Sequence, residues 1–236
     1  MRHKTILITG ATRGLGLALA QHWAAENTVI AVARKSSEAF DALAAASSSV
    51  HFHACDLADE AATVSTFQQI CRSMPQIDVL INNAAILTSL PLGIMKASDI
   101  AGMIDVNLKA PILASKTVFR KMVGAKRGQI VNILSMAPKL CVVGDSVYAA
   151  TKSGLEAFSR VLNKEGHPFG VHVNNIGLSA FPSGMLDQIV GENTDKVLDL
   201  IPHKQFAPLM EIINAIEFFE ANGRDIGGQT LYFGGV

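Results

Sequence analysis

A short apolar run, Thr5 to Thr9, stops at Gly10 and is followed by Gly14 and Gly16, after which Leu17, Ala18, Leu19 and Ala20 continue. β-Branched and aliphatic residues in such a run favour a buried strand, and the leucines and alanines favour a helix. Glycines between them allow a tight turn and let the backbone approach a ligand with no Cβ in the way. The first N–H groups of a helix lack partners within it, and the helix dipole adds partial positive charge there, so the turn can seat a phosphate. The spacing is Gly10-x-x-x-Gly14-x-Gly16, not the Gly-x-Gly-x-x-Gly of the commoner dinucleotide turn. A strand, a glycine turn and a helix in this order point to an α/β sheet that binds a nucleotide.

The rest of the chain repeats the alternation. Strands are expected at 28–33, 50–54, 77–81, 129–134, 171–176 and 229–233. Helices are expected at 39–46, 60–74, 97–123, 147–163 and 207–222, with Pro111 interrupting the third. Residues 178–204 read as irregular, with a short helix around 195–200. Short, nearly continuous apolar strands are those of a parallel sheet covered on both faces. The expectation is one doubly wound Rossmann-type domain over 1–236, with a seven-stranded, mostly parallel sheet, helices on both faces and a substrate loop at about 178–205. Ligands of such sheets bind at the carboxyl ends of the strands. Those ends carry Gly10, Arg34, Asp56, Asn83, Ser135 and Leu178.

Composition narrows the function. The 236 residues are 49% hydrophobic and 17% charged, with a formal net charge of zero. A large core can form, and the basic excess of a nucleic-acid binder is lacking. Lys121, Lys126 and Arg127 read as a solvated helix end. Cys55, Cys71 and Cys141 form neither an even disulfide framework nor a metal-ligand spacing, and the histidines lack ligand spacing too, so no metal is expected. Free thiols fit a reducing compartment. The start MRHKTILITG is too short in apolar residues for a signal peptide, and no apolar run approaches a membrane span. A soluble, cytoplasmic protein is expected.

Tyr148 and Lys152 are four apart on an expected helix and share a face. A free phenol, with a pKa near 10, is a poor acid or base at neutral pH, and a nearby ammonium favours the phenolate. Tyrosine and lysine at helical spacing usually mean nothing by themselves. Here Ser135 ends the fifth strand, where its hydroxyl can meet a substrate oxygen, and Asn107 lies within a helix that asparagine does not favour.

Together, Thr9-Gly10-x-x-x-Gly14-x-Gly16, Asp56-Leu57, Asn82-Asn83-Ala84, Asn107, Ser135 and Tyr148-x-x-x-Lys152 resemble the ordered motifs of the short-chain dehydrogenases/reductases, over almost the whole chain. Residues 82–108 and the tail IPHKQFAP…GGQTLYFGG resemble the 3-oxoacyl-(acyl-carrier-protein) reductases within that family. The resemblance implies a proton donor or acceptor in Tyr148. It implies a ribose-holding, pKa-lowering ammonium in Lys152, a carbonyl-orienting hydroxyl in Ser135, and a water-holding relay residue in Asn107. It places the cofactor against Gly10, Thr12, Arg13, Gly14, Leu15, Gly16, Arg34, Asp56, Leu57, Asn83, Tyr148 and Lys152. Asn83 and Leu57 would meet the ribose and adenine side, and Asp56 would cap the adenine.

An acid about 20 residues past the turn would hold the ribose hydroxyls of NAD, whereas NADP needs a cation for its 2′-phosphate. Arg34 stands where that acid would be and Arg13 lies inside the turn, so NADP(H) is expected. The sequence departs from the family pattern after the sixth strand, where Leu178-Ser179 replaces a Pro-Gly pair. Onward from there, Ser183 falls on the threonine that contacts nicotinamide, and Met185 also matches. Ala85 replaces a common glycine and Leu134 a common serine. Phe169 stands where carrier-protein reductases tend to be basic, and Lys126 or Arg127 supplies at most one docking charge. Acyl carrier protein is therefore a doubtful partner, and a small, free carbonyl or alcohol substrate is expected. Leu140, Cys141, Phe181 and Met185 are candidate pocket walls.

Three functions compete: an NADPH-dependent ketoreductase, an NADP-dependent alcohol dehydrogenase working oxidatively, and a nucleotide-binding regulator without turnover. The intact Ser135, Tyr148, Lys152 and Asn107 favour the first two. The resemblance further implies a homotetramer or homodimer, built through the long helices and the last strand.

Overall fold

A computed structural model describes residues 1–179, 198–199 and 201–235. Seven strands form a single sheet in the order β3-β2-β1-β4-β5-β6-β7: β1 Thr5–Thr9, β2 Thr28–Ala33, β3 Val50–Ala54, β4 Val79–Asn82, β5 Gly128–Ser135, β6 Val171–Leu178 and β7 Thr230–Phe233. Every pairing is parallel, so the sheet is wholly rather than mostly parallel. The order reverses between β1 and β4, which opens a crevice at the carboxyl ends of the strands.

The helices follow the strands: α1 Gly14–Trp23, α2 Glu38–Ala46, α3 Glu60–Ser73, α4 Ala97–Ile104, α5 Ala110–Ala125, the single turn α6 Ala137–Leu140, α7 Ser146–Gly166 and α8 Leu209–Ile226. Alternation along the strands divides the core. Ile6, Ile8, Val29 and Ala31 pack with Leu15, Leu19 and Trp23 of α1 and Ile212, Ile216 and Phe219 of α8. Leu7, Ile30 and Leu80 face the other way, against Phe67 and Ile70 of α3 and Ala114 and Val118 of α5. Both faces of the central strands are thus covered, which is why their apolar runs are unbroken.

Ends are set locally. Ser37 accepts the Phe40 N–H to start α2, and Asp59 accepts that of Ala62 to start α3. Lys126, at φ 55°, closes α5 in a left-handed turn. The basic cluster there is partly tied down: Lys121 Nζ donates to the Cys71 carbonyl at 2.8 Å, and Arg127 lies 3.4 Å from Asp78. No helix among the described residues is long and apolar enough to cross a membrane.

The expected break at Pro111 takes another form. The chain stays helical from α4 into α5 through a π-turn, Asp105–Lys109. Pro111 has no N–H to give the Asn107 carbonyl four residues earlier, and widening the helix there absorbs the loss. At the end of β6, Leu178 and Ser179 keep the sheet going: the Ser179 N–H reaches the Phe233 carbonyl at 3.2 Å.

Candidate functional site

The turn after β1 is shaped by its glycines. Gly10 and Gly14 sit at φ 68° and 54°, a region that other residues rarely adopt. A Cβ on Gly16 would collide with the Gly10 carbonyl oxygen, so the helix start can lie this close to the strand end only with glycine there. Thr9 Oγ1 accepts the N–H groups of Asn83 and Ala84, each at 3.0 Å. The Asn83 amide donates in return to the carbonyls of Thr9 (2.9 Å) and Gly10 (3.2 Å). Asn83 thus clamps the turn to the end of β4, and its donor faces the turn. Ser37 Oγ donates to the Thr12 carbonyl at 2.7 Å, which ties the loop after β2 to the same turn.

These residues fit a dinucleotide. Arg13 caps α1 with no side-chain hydrogen bond, and the first turn holds no acid, so its N–H groups remain for a phosphate. Leu15 is buried beneath it. Arg13 and Arg34 are both exposed. Among the described residues neither joins a salt bridge, and no acid ends β2. Asp56 is exposed and accepts the Ala58 N–H at 3.0 Å, and Leu57 is buried beside it.

The second group lies at the ends of β4 and β5 and on α7. Tyr148 and Lys152 are 8% and 3% exposed, so both functional groups lie within the fold rather than on its surface. Lys152 Nζ donates to the Ile133 carbonyl at 2.8 Å and stands 5.7 Å from the centre of the Tyr148 ring. Burial pulls this lysine down to about 8. The phenol departs from expectation. Burial pushes Tyr148 up to about 12, the Ser135 hydroxyl opposing that shift and the Asp145 carboxylate adding to it. Ser135 Oγ also accepts the Ala137 N–H at 3.1 Å, which fixes its direction at the end of β5.

Asn107 lies in the π-turn, fully buried. Its side chain grips the chain after β4: Oδ1 accepts the Ile86 N–H and Nδ2 donates to the Ile86 carbonyl, both at 2.8 Å. Nδ2 also reaches Thr151 Oγ1 at 3.4 Å. The side chain therefore serves the backbone.

Tyr148 and Lys152 of α7, Ser135 at the end of β5 and Asn107 in the π-turn thus come together from three separate segments. Ser183, Phe181 and Met185 lie outside the described residues. Leu140 is half-buried, and Cys141 is exposed at φ 51°. Sequence reasoning passed over a row of polar side chains under the site. Asn82, Asn132, Asn175 and Thr230 are mutual neighbours on β4, β5, β6 and β7. Asn82 Nδ2 donates to Asn132 Oδ1 (2.7 Å) and Ser115 Oγ (3.0 Å), and Asn132 Nδ2 to Ser159 Oγ (2.8 Å) and Asn175 Oδ1 (3.2 Å). Asn175 reaches Thr230, which donates to Glu156. Asparagine inside otherwise apolar strands was the available signal. Asp145, buried three residues before Tyr148, was also passed over.

The family model for short chain dehydrogenase matches residues 4–193. A 3-oxoacyl-[acyl-carrier-protein] reductase of Synechocystis is 31% identical over 232 residues, covering 95% of this chain and 93% of that protein. A D-threitol dehydrogenase of Mycolicibacterium smegmatis is 30% identical over 246 residues, covering 97% and 93%. Among solved structures, an NAD+-bound xylitol dehydrogenase superposes with a TM-score of 0.88 at 22% identity, over 100% of this chain and 99% of that one.

Proposed function

The chain belongs to the short-chain dehydrogenase family and is an NAD(P)-dependent oxidoreductase of CH–OH and carbonyl groups, and we propose that it is an NADPH-dependent reductase of ketones to secondary alcohols. One observation carries this reading: a buried phenol, Tyr148, faces the Ser135 hydroxyl beside the buried Lys152 ammonium, where the sheet ends.

When bound, NADPH supplies the hydride that the carbonyl carbon accepts. Ser135 Oγ donates to the carbonyl oxygen and orients it. Tyr148 Oη gives its proton to that oxygen as the C–H bond forms, a contribution of about 10²–10⁴-fold. Tyr148 is protonated at neutral pH, as a donor must be, but burial makes it a weaker acid, so the transfer depends on the Ser135 hydroxyl, which opposes that rise. Lys152 Nζ holds the nicotinamide ribose and offers a proton toward Tyr148. A water on the Asn107 carbonyl would reload Lys152 from solvent. Gly10, Thr12, Gly14, Leu15 and Gly16 would hold the diphosphate, and Asp56, Leu57 and Asn83 the adenosine side. Arg13 and Arg34, exposed and in no salt bridge among the described residues, would meet a 2′-phosphate, and their position with no acid at the end of β2 supports NADP(H) over NAD(H). Ser183 would contact the nicotinamide. The names of the relatives divide between a 3-oxoacyl group on a carrier protein and a polyol, and the substrate would be a small, free ketone related to the oxoacyl group or to an oxidised polyol.

We place this reaction in a homotetramer or homodimer. Val161 of α7, Phe218 of α8 and Leu231 of β7 are exposed apolar residues on the elements that would meet. Light scattering at micromolar concentration checks this, and a monomer overturns it.

The central test is NADPH oxidation with β-ketoesters, quinones, aryl ketones and hydroxyketones, in the parent protein and in Tyr148→Phe. Turnover in the parent and a loss of at least about a hundredfold in the variant, with NADPH still bound, are expected. Equal turnover in both removes Tyr148 as the acid.

A further inference from the structure

Asp145 occupies the N-cap of α7, where aspartate is among the best of residues because its carboxylate can accept the first free N–H groups. It does not do so: it makes no side-chain capping bond. The residue is 7% exposed, and its Oδ1 has no hydrogen-bond partner among the described residues. No lysine or arginine among them forms a salt bridge with it; Lys152, the nearby buried cation, donates to Ile133. Burying an acceptor without a partner costs about 1–3 kcal/mol, and more for a charge. A fold that gives up a helix cap and carries that cost holds the carboxylate for something else.

Its surroundings are those of the reacting centre. Tyr148 follows one helical turn later on the same helix, close enough for the carboxylate's charge to act on the phenol. The loop after β4 packs on the turn before Asp145, with the Leu90 N–H donating to the Gly144 carbonyl at 3.1 Å. Ser89, from that loop, opposes the rise that burial causes in the pKa of the carboxylate. Ile86, Leu87 and Leu90 pack with Tyr148 in one apolar cluster. Within that apolar lining, Asp145 Oδ1 is an acceptor left without a donor among the described residues.

We propose that Asp145 Oδ1 accepts a hydrogen bond from a substrate hydroxyl on the carbon next to the reacting carbonyl, so that the substrate is a hydroxyketone and its product a vicinal diol. The inference rests on the reductase reading above, because it places the hydroxyl relative to the carbonyl held by Tyr148 and Ser135. A site built to bond a hydroxyl discriminates against a ligand that lacks it, since the buried acceptor is then left unpaired.

The test uses a matched pair, 1-hydroxy-2-butanone and 3-pentanone, which differ by a hydroxyl in place of a methyl. The parent protein should favour the hydroxyketone at least about tenfold in kcat/KM. Asp145→Leu should bring that ratio to about one, and Asp145→Asn, which keeps an acceptor without its charge, should fall between them. Calorimetric titration of both ketones into the NADP+-saturated proteins reads the same preference without turnover. Selective binding that Asp145→Leu abolishes upholds the inference even where no ketone is reduced, a result that would reject only the reductase reading. A ratio near one in the parent, or one that Asp145→Leu and Asp145→Asn leave in place, overturns the inference.

Discussion

The two halves of the sheet position ligands by different means. In the half made of β1, β2 and β3, the interiors of β1 and β2 are apolar on both faces, with Ile6, Leu7, Ile8, Val29, Ile30 and Val32 wholly buried, whereas the edge strand β3 carries the polar side chains of His51 and His53. Its binding turn is a matter of backbone, shaped where glycine alone fits. In the half made of β4 to β7, one register row is polar, Asn82-Asn132-Asn175-Thr230, bonded sideways across the strands and outward to Ser115, Ser159 and Glu156. Lys152 and Ser135 are carried by this second half. Apolar packing is non-directional, whereas a chain of hydrogen bonds favours one arrangement, although Asn82 Oδ1 in this row has no partner among the described residues. The first half shapes its turn by close backbone approach, and the second adds directional bonds that reach Ser159 and Glu156 on the helix that carries Tyr148.

The contrast can be broken from either side. Gly16→Val should have the largest effect, because its side chain would have to displace the Gly10 carbonyl and the Asn83 amide together. A loss of more than about 4 kcal/mol is expected in urea unfolding, with NADP(H) binding abolished. A well-folded variant that still binds the nucleotide would show that the turn is not fixed by contact.

Asn132→Leu removes the centre of the polar row and strands donors and acceptors on Asn82, Ser159 and Asn175. About 2–4 kcal/mol should be lost, with the activity falling more than nucleotide binding does. A leucine that proves neutral would mean that the row gives the catalytic half no more than apolar packing would.

The buried lysine gives a pH signature. Its folded pKa of about 8 lies below the unfolded value near 10.4, so between these the unfolded chain binds more protons and stability must rise with pH. The rise should be on the order of 3 kcal/mol in the protein without nucleotide, and Lys152→Met should flatten it. Tyr148 acts oppositely: its folded pKa, about 12, exceeds the ordinary 10, so stability falls again above about pH 10. A thermal-unfolding profile from pH 7 to 11 that is flat for both proteins would contradict the burial.

The smallest effect is at Arg34, which is exposed. Arg34→Ser should weaken NADPH by about tenfold to a hundredfold while leaving NADH nearly as before. Equal loss with both nucleotides would remove Arg34 from the 2′-phosphate.

How far the sequence could be read follows the same division. β1, β2 and β3 fall at their expected bounds, the first two because unbroken apolar runs end at a glycine and at an arginine, and β3 as a short alternating run, VHFHA. β4 begins two residues later than expected and runs on to Asn82, and β6 extends two residues further, since pairing with neighbours, not composition, ends a strand. The motif residues were legible by type and order. Their electrostatics were not: the phenol was expected to be lowered by the ammonium, and burial raises it.

By itself, the sequence determined the alternating α/β architecture, the glycine turn and the family, because these depend on local periodicity and on residues whose backbone freedom is intrinsic. Only the tertiary structure decided that the Asn107 side chain grips Ile86, that three asparagines meet in one row, and that Asp145 is buried with an acceptor to spare. Each of those facts depends on which groups from distant segments face one another and on how much water reaches them, and neither is written in the spacing of residues along a chain.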